Sequence, residues 1–157
     1  MKGSLGWAAV VSLMVLGGCG GGRSTEIRST EYPVGSRWNG RMATPASMVG
    51  VAQVGGVAWM AEADPTSTQA HVEIENATPG GRHPWHVHRG QCGNDQGIVG
   101  PADRYEVLEV DGDGEASKSA TLPIALPRTG NYMVNVHASP ENMGTIISCG
   151  NLSPPTR

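Results

Sequence analysis

The chain has 157 residues, with 11 Lys plus Arg against 14 Asp plus Glu and a formal net charge of −3. So mild a negative balance gives no electrostatic footprint for nucleic acid. With 23 glycines, 11 prolines and no Phe, the composition argues against a helical bundle and for one β-rich, loop-rich domain with its own core.

Read from the N-terminus, Lys2 is followed by an apolar run, Trp7 to Leu16. It has the length of a signal-peptide h-region and is too short to span a bilayer. The run stops at Leu16-Gly17-Gly18-Cys19, which resembles a bacterial lipobox. The resemblance implies that residues 1–18 are a removed signal peptide and that Cys19 is lipid-modified; an ordinary signal peptide is the alternative. Gly20 in place of Asp after the Cys implies sorting to the outer membrane in a cell with two membranes. The expected location is therefore the periplasmic face of a bacterial membrane, or the cell surface, with the lipid as the only membrane contact. Residues 19–35 are polar and rich in Gly, Ser and Thr, a flexible tether. A β domain is expected over 36–153, followed by a tail, 154–157.

Strand signals begin at Ser36. Met48 to Met60 is rich in small and β-branched residues, with Gly55-Gly56 as a turn or bulge. Ala70 to Glu75 alternates, with Val72 and Ile74 toward the core and His71, Glu73 and Glu75 toward water. Pro79-Gly80-Gly81 turns into a strand from Trp85 to His88. Arg89 to Asp103 reads as an ordered loop carrying Cys92. Tyr105 to Val110 is a strand, and Asp111-Gly112-Asp113-Gly114 a turn; it lacks the downstream acidic residue of a calcium loop. Ala120 to Leu126 contains Pro123 and is placed at a sheet edge. Thr129-Gly130-Asn131 turns into an alternating strand, Tyr132 to His137, and Ile146 to Cys149 closes the domain. Short strands at regular spacing, punctuated by turns, indicate an all-β Greek-key sandwich or barrel.

Three cysteines are an odd number for an exported chain. With Cys19 assigned to lipid, Cys92 and Cys149 remain, either as a disulfide or as two buried thiols. Closing that loop stabilises the fold by roughly 4 kcal/mol on the chain-entropy account.

The chemistry concentrates in histidine. Four of the five lie in His83-Pro84-Trp85-His86-Val87-His88 and at His137. His86 and His88 are two apart, so a strand presents both on one face. A third imidazole from a distant strand completes a three-histidine pocket suited to copper or zinc. The alternative is that these are hydrogen-bonded core residues, but three unpaired buried imidazoles are costly.

Gly81-Arg82-His83-Pro84-Trp85-His86-Val87-His88 resembles the G-x-H-G-F-H-x-H segment of the copper/zinc superoxide dismutases. Val136-His137 and Ser148-Cys149-Gly150 are similar to that family's last copper histidine and its A-C-G closing motif, and Cys92 stands where the family places the partner of the terminal Cys. The resemblance covers roughly Val49 to Leu152. It implies a Greek-key β-sandwich, one copper per chain on His86, His88 and His137, His83 as a structural histidine behind the site, Trp85 as an aromatic plug, and a Cys92–Cys149 disulfide. It also implies superoxide dismutation, to oxygen and hydrogen peroxide, with those three histidines as the catalytic set.

The departures are as informative. No histidine lies between Cys92 and Tyr105, so the family's shared copper–zinc histidine and its zinc ligands have no counterpart, and no zinc site is visible. Only Ala138 to Ser148 separate the last histidine from the final Cys, and Ile146 stands at the position of the guiding arginine. Arg82 and Arg89 are the candidates to replace it. Met143 is a candidate thioether donor or a packed apolar residue; Glu141 and Asp103 are capable donors left out of the ligand set. Dismutation well below that of a full family member is therefore expected, with superoxide or a copper donor or acceptor as partner. The alternatives are a non-enzymatic copper binder and a structural module; Tyr132 to His137 also resembles chordin-type CHRD domains.

Overall fold

The structure, a computed structural model, describes residues 36–156. The signal peptide, the tether and Cys19 lie outside the described residues. Ten strands follow one another: β1 (Trp38–Met42), β2 (Gly55–Asp64), β3 (Ser67–Glu75), β4 (Arg82–His83), β5 (Trp85–Gln91), β6 (Asn94–Ile98), β7 (Leu108–Glu109), β8 (Ala116–Leu122), β9 (Tyr132–Ser139) and β10 (Asn142–Leu152). They form two four-stranded sheets, ordered β1-β2-β3-β8 and β10-β9-β5-β6, and a short β4-β7 ribbon. All named pairs are antiparallel. The chain passes from the first sheet to the second after β3, returns to put β8 beside β3, and crosses again to β9. These crossings between sheets make the expected Greek-key sandwich.

The sandwich is nearly closed on one side. Asn39 pairs with Ser153 and Ala43 with Cys149, so β1 leans on β10. Gly150 permits this approach, because a Cβ there would lie 2.5 Å from the Arg41 carbonyl oxygen. The core between the sheets holds Trp38, Met60, Val72, Ile74, Trp85, Val87, Leu108, Leu122, Val134 and Val136, all essentially inaccessible. Val72 and Ile74 face it, as their alternation predicts.

Several boundaries differ from the sequence reading. Residues 49–54 are not strand, and Gly55-Gly56 opens β2, paired with Glu75 and Ile74, rather than forming a turn. Arg89 to Asp103 is not a loop throughout: β5 runs on to Gln91, and Gln91 pairs with Asn94 across a two-residue turn, Cys92-Gly93. Tyr105 to Val110 yields only the two residues of β7. β8 begins at Ala116 and ends before Pro123, which lacks the N–H that a further rung needs; the strand is at a sheet edge, as expected.

The sheet register positions the histidines. Trp85 pairs with Val136 and Val87 with Val134; His86 pairs with Asn135 and His88 with Met133. Side chains alternate along a strand, so Trp85, Val87, Val134 and Val136 point into the sandwich while His86, His88, Met133 and Asn135 occupy the sheet's other face. That second face is also buried on β9: every residue from Met133 to His137 is inaccessible. A strand covered on both faces does not show the in–out polarity expected of a half-exposed one.

Candidate metal centre

His86 and His88 project from central β5, and His137 from central β9. The backbone N–H of His137 donates to the Pro84 carbonyl (2.8 Å), which carries the β5–β9 ladder to the level of the third ring. Ring centroids are 5.7 Å apart for His86–His88, 5.3 Å for His86–His137 and 6.1 Å for His88–His137. One nitrogen from each ring lies within 4.8 Å of the others. All three residues are 6% exposed or less.

Hydrogen bonds decide which nitrogens face the centre. His88 Nδ1 lies 2.9 Å from Asp95 Oδ1, and His137 Nδ1 lies 2.6 Å from the Met143 carbonyl oxygen. Both partners only accept, so each Nδ1 is the donor and each Nε2 is the nitrogen left to face the centre. His88 Nε2 is buried with no partner. His86 Nδ1 sits 3.3 Å from His137 Nε2. Two ring nitrogens at that distance require a proton or a cation between them, and a third nitrogen lies buried and unpartnered beside them. An ion that prefers nitrogen donors fits this set.

Burial disfavours a charge on the His86 and His137 rings. The His86 imidazole is pushed down to about 4, first by burial and then by His137 and His88; Asp95 opposes the shift. The His137 ring is also lowered, chiefly by burial, against the upward pull of its bond to Met143. Neutral imidazole is the form that binds metal.

His83 stands behind the site. Its Nδ1 lies 2.9 Å from the Ala138 carbonyl oxygen and 3.1 Å from that of His137, so it ties β4 to the ligand end of β9. Trp85 is not under the imidazoles; it fills the core on the opposite face, with Nε1 donating to the Glu106 carbonyl. The ring that touches His86 is Tyr105, edge-on at 5.1 Å, which also packs edge-on against Trp85. Cys92 and Cys149 form a disulfide, joining the β5–β6 turn to β10. His71 stacks on Trp59 and bonds to Ser119 Oγ, away from the centre.

Both candidate arginines have partners away from the imidazoles. Arg82 pairs with Glu109 (3.8 Å) and Arg89 reaches the Ile98 carbonyl (3.5 Å); as the residue after His88 on its strand, Arg89 faces the other way. Met143 serves through its carbonyl, and its side chain is exposed rather than packed. An open groove of about 890 Å³ runs past His137 and Asp95, walled by Met48, Met133, Met143 and the disulfide. Among its lining residues Asp95 is the only one with a formal charge at neutral pH.

Asp95, Tyr105 and the Met143 carbonyl were not singled out from the sequence. Asp95 had a usable signal: once Cys92-Gly93 is read as a hairpin turn, Asp95 falls opposite Gly90, on the face of His88 and diagonal to it.

No protein-family model and no curated protein matches the chain. Among solved structures, the chain is similar to a double mutant of a SOD-like protein from Bacillus subtilis, at 18% identity and a TM-score of 0.48, covering 72% of this chain and 95% of that one. The chain's own geometry establishes an all-β antiparallel sandwich with a buried three-histidine group able to hold a metal ion.

Proposed function

We propose that this chain binds one copper ion at His86 Nδ1, His88 Nε2 and His137 Nε2, and presents it from a lipid anchor on Cys19 outside the cytoplasm. The observation that carries the reading is the buried, unpartnered His88 Nε2 beside two more inward-facing imidazole nitrogens. His83 Nε2 is unpartnered too, but it stands apart; it is the convergence of three imidazole nitrogens that a purely structural module has no use for. Among divalent ions at a nitrogen site, copper(II) outranks zinc(II). A disulfide persists in an oxidising compartment, which suits an exported protein.

Bound copper would supply one-electron redox chemistry. The chain's own residues disfavour a charge on the His86 and His137 rings, orient the His88 and His137 rings through their Nδ1–H groups and cover the centre from bulk water. They do less for an anion. Dismutation requires superoxide to be drawn in, and the charged residue on the groove wall is a carboxylate. Loss of one preorganised positive group beside a reacting anion costs on the order of a hundredfold. The groove therefore favours copper holding or hand-over, with superoxide dismutation as a slow second activity.

Titration of the metal-free protein with copper(II) and zinc(II), with elemental analysis and copper(II) spectroscopy, tests the reading. One copper per chain is expected, displacing zinc, with a nitrogen-coordinated spectrum that His137→Ala abolishes. Zinc retained against equimolar copper, or copper uptake unchanged in His137→Ala, overturns it. A superoxide assay on the loaded protein then measures the second activity.

A further inference from the structure

The three imidazoles are not supported alike. The Nδ1–H of His137 donates to a neutral backbone carbonyl, whereas that of His88 donates to the carboxylate of Asp95 at 2.9 Å. The carboxylate is held in place. Its Oδ1 also accepts the backbone N–H of Gly97 (2.7 Å), a local turn that fixes the side chain against its own strand. Between the His88–Ile98 and Gly90–Asp95 pairs the β5–β6 register shifts, and this irregularity brings Asp95 alongside His88. The Asp95 side chain is half exposed while the His88 ring is 5% exposed, so the charge sits at the mouth and acts on a buried ring.

A carboxylate behind a ligating imidazole orients the ring and raises its basicity, and removing such a partner typically weakens metal binding ten- to a hundredfold. A more basic nitrogen and a nearby negative charge both favour the ion of higher charge. We propose that Asp95 is a positioning residue of the metal centre: it locks the His88 ring with Nε2 inward, draws a cation to the groove and biases the site toward copper(II) over copper(I). This rests on the copper reading above.

Asp95→Asn tests it, because the amide oxygen keeps the Gly97 bond and removes only the charge; Asp95→Ala removes both. The expected results for Asp95→Asn are copper(II) affinity at least tenfold weaker, a more positive reduction potential and an altered copper(II) spectrum, with unchanged metal-free stability. Asp95→Ala weakens copper(II) further, while its copper(I) affinity falls less. Unaltered copper(II) affinity and potential in both variants, with one copper still bound per chain, overturn the role of Asp95 and leave the copper reading standing. Failure of the unsubstituted protein to bind copper sinks the copper reading itself.

Discussion

Acidification of the metal-free protein tests the buried centre without any assumption about which ion it takes. In the unfolded chain the His86 imidazole titrates near its ordinary value of 6.5, whereas in the folded protein burial holds it down to about 4. Between those values the unfolded state binds more protons than the folded one, so stability is full above the unfolded value and falls as the pH drops through the window. For His86 alone, linkage makes the protein about 2.5 kcal/mol less stable at about pH 4.5 than at about pH 7.5. His137, also lowered by burial, adds to the loss with the same sign. Chemical denaturation of the metal-free protein across this range measures it, with His86→Gln as the comparison because glutamine does not titrate. The unsubstituted protein should lose most of that amount more than the variant does, and the His86 ring signals should titrate near 4 by NMR. Parallel stability profiles, or a His86 midpoint near 6.5, would refute the reasoning: the ring would then be open to water and free to charge, and the orphaned nitrogen beside it would need no cation.

Other perturbations follow from the same geometry. The Cys92–Cys149 bridge closes a loop of sequence separation 57, so a double serine variant should unfold about 4 kcal/mol more easily in urea. His83→Ala leaves the His137 and Ala138 carbonyls without their donor; about 2 kcal/mol of stability should be lost, and copper affinity should fall with it as the end of β9 loosens. Gly90 has φ +105°, and a Cβ there would lie 2.1 Å from the Asn94 carbonyl oxygen. Gly90→Ala should therefore distort the β5–β6 hairpin at a cost of about 2 kcal/mol or more, detected as faster amide exchange confined to residues 88–98.

The legible part of this protein was the part carried by short-range pattern. His86 and His88 share a face because side chains alternate along any strand, whatever the fold around it. Val72 and Ile74 point inward for the same reason, and Pro123 ends β8 because it cannot donate a backbone bond. The third histidine and the cysteine pairing came from resemblance to a known motif order, since nothing local links His137 to His88.

Tertiary structure decided what depends on register and on what lies opposite. A single hairpin turn, Cys92-Gly93, put Asp95 behind His88. The β5–β9 pairing sent Trp85 into the core, away from the imidazoles, and left Tyr105 to touch His86. Covering the outer face of the second sheet buried β9 on both sides, which alternation alone does not announce. A pattern in sequence fixes the direction of a side chain; only the folded neighbours fix whether that direction ends in water, in hydrocarbon or at another nitrogen.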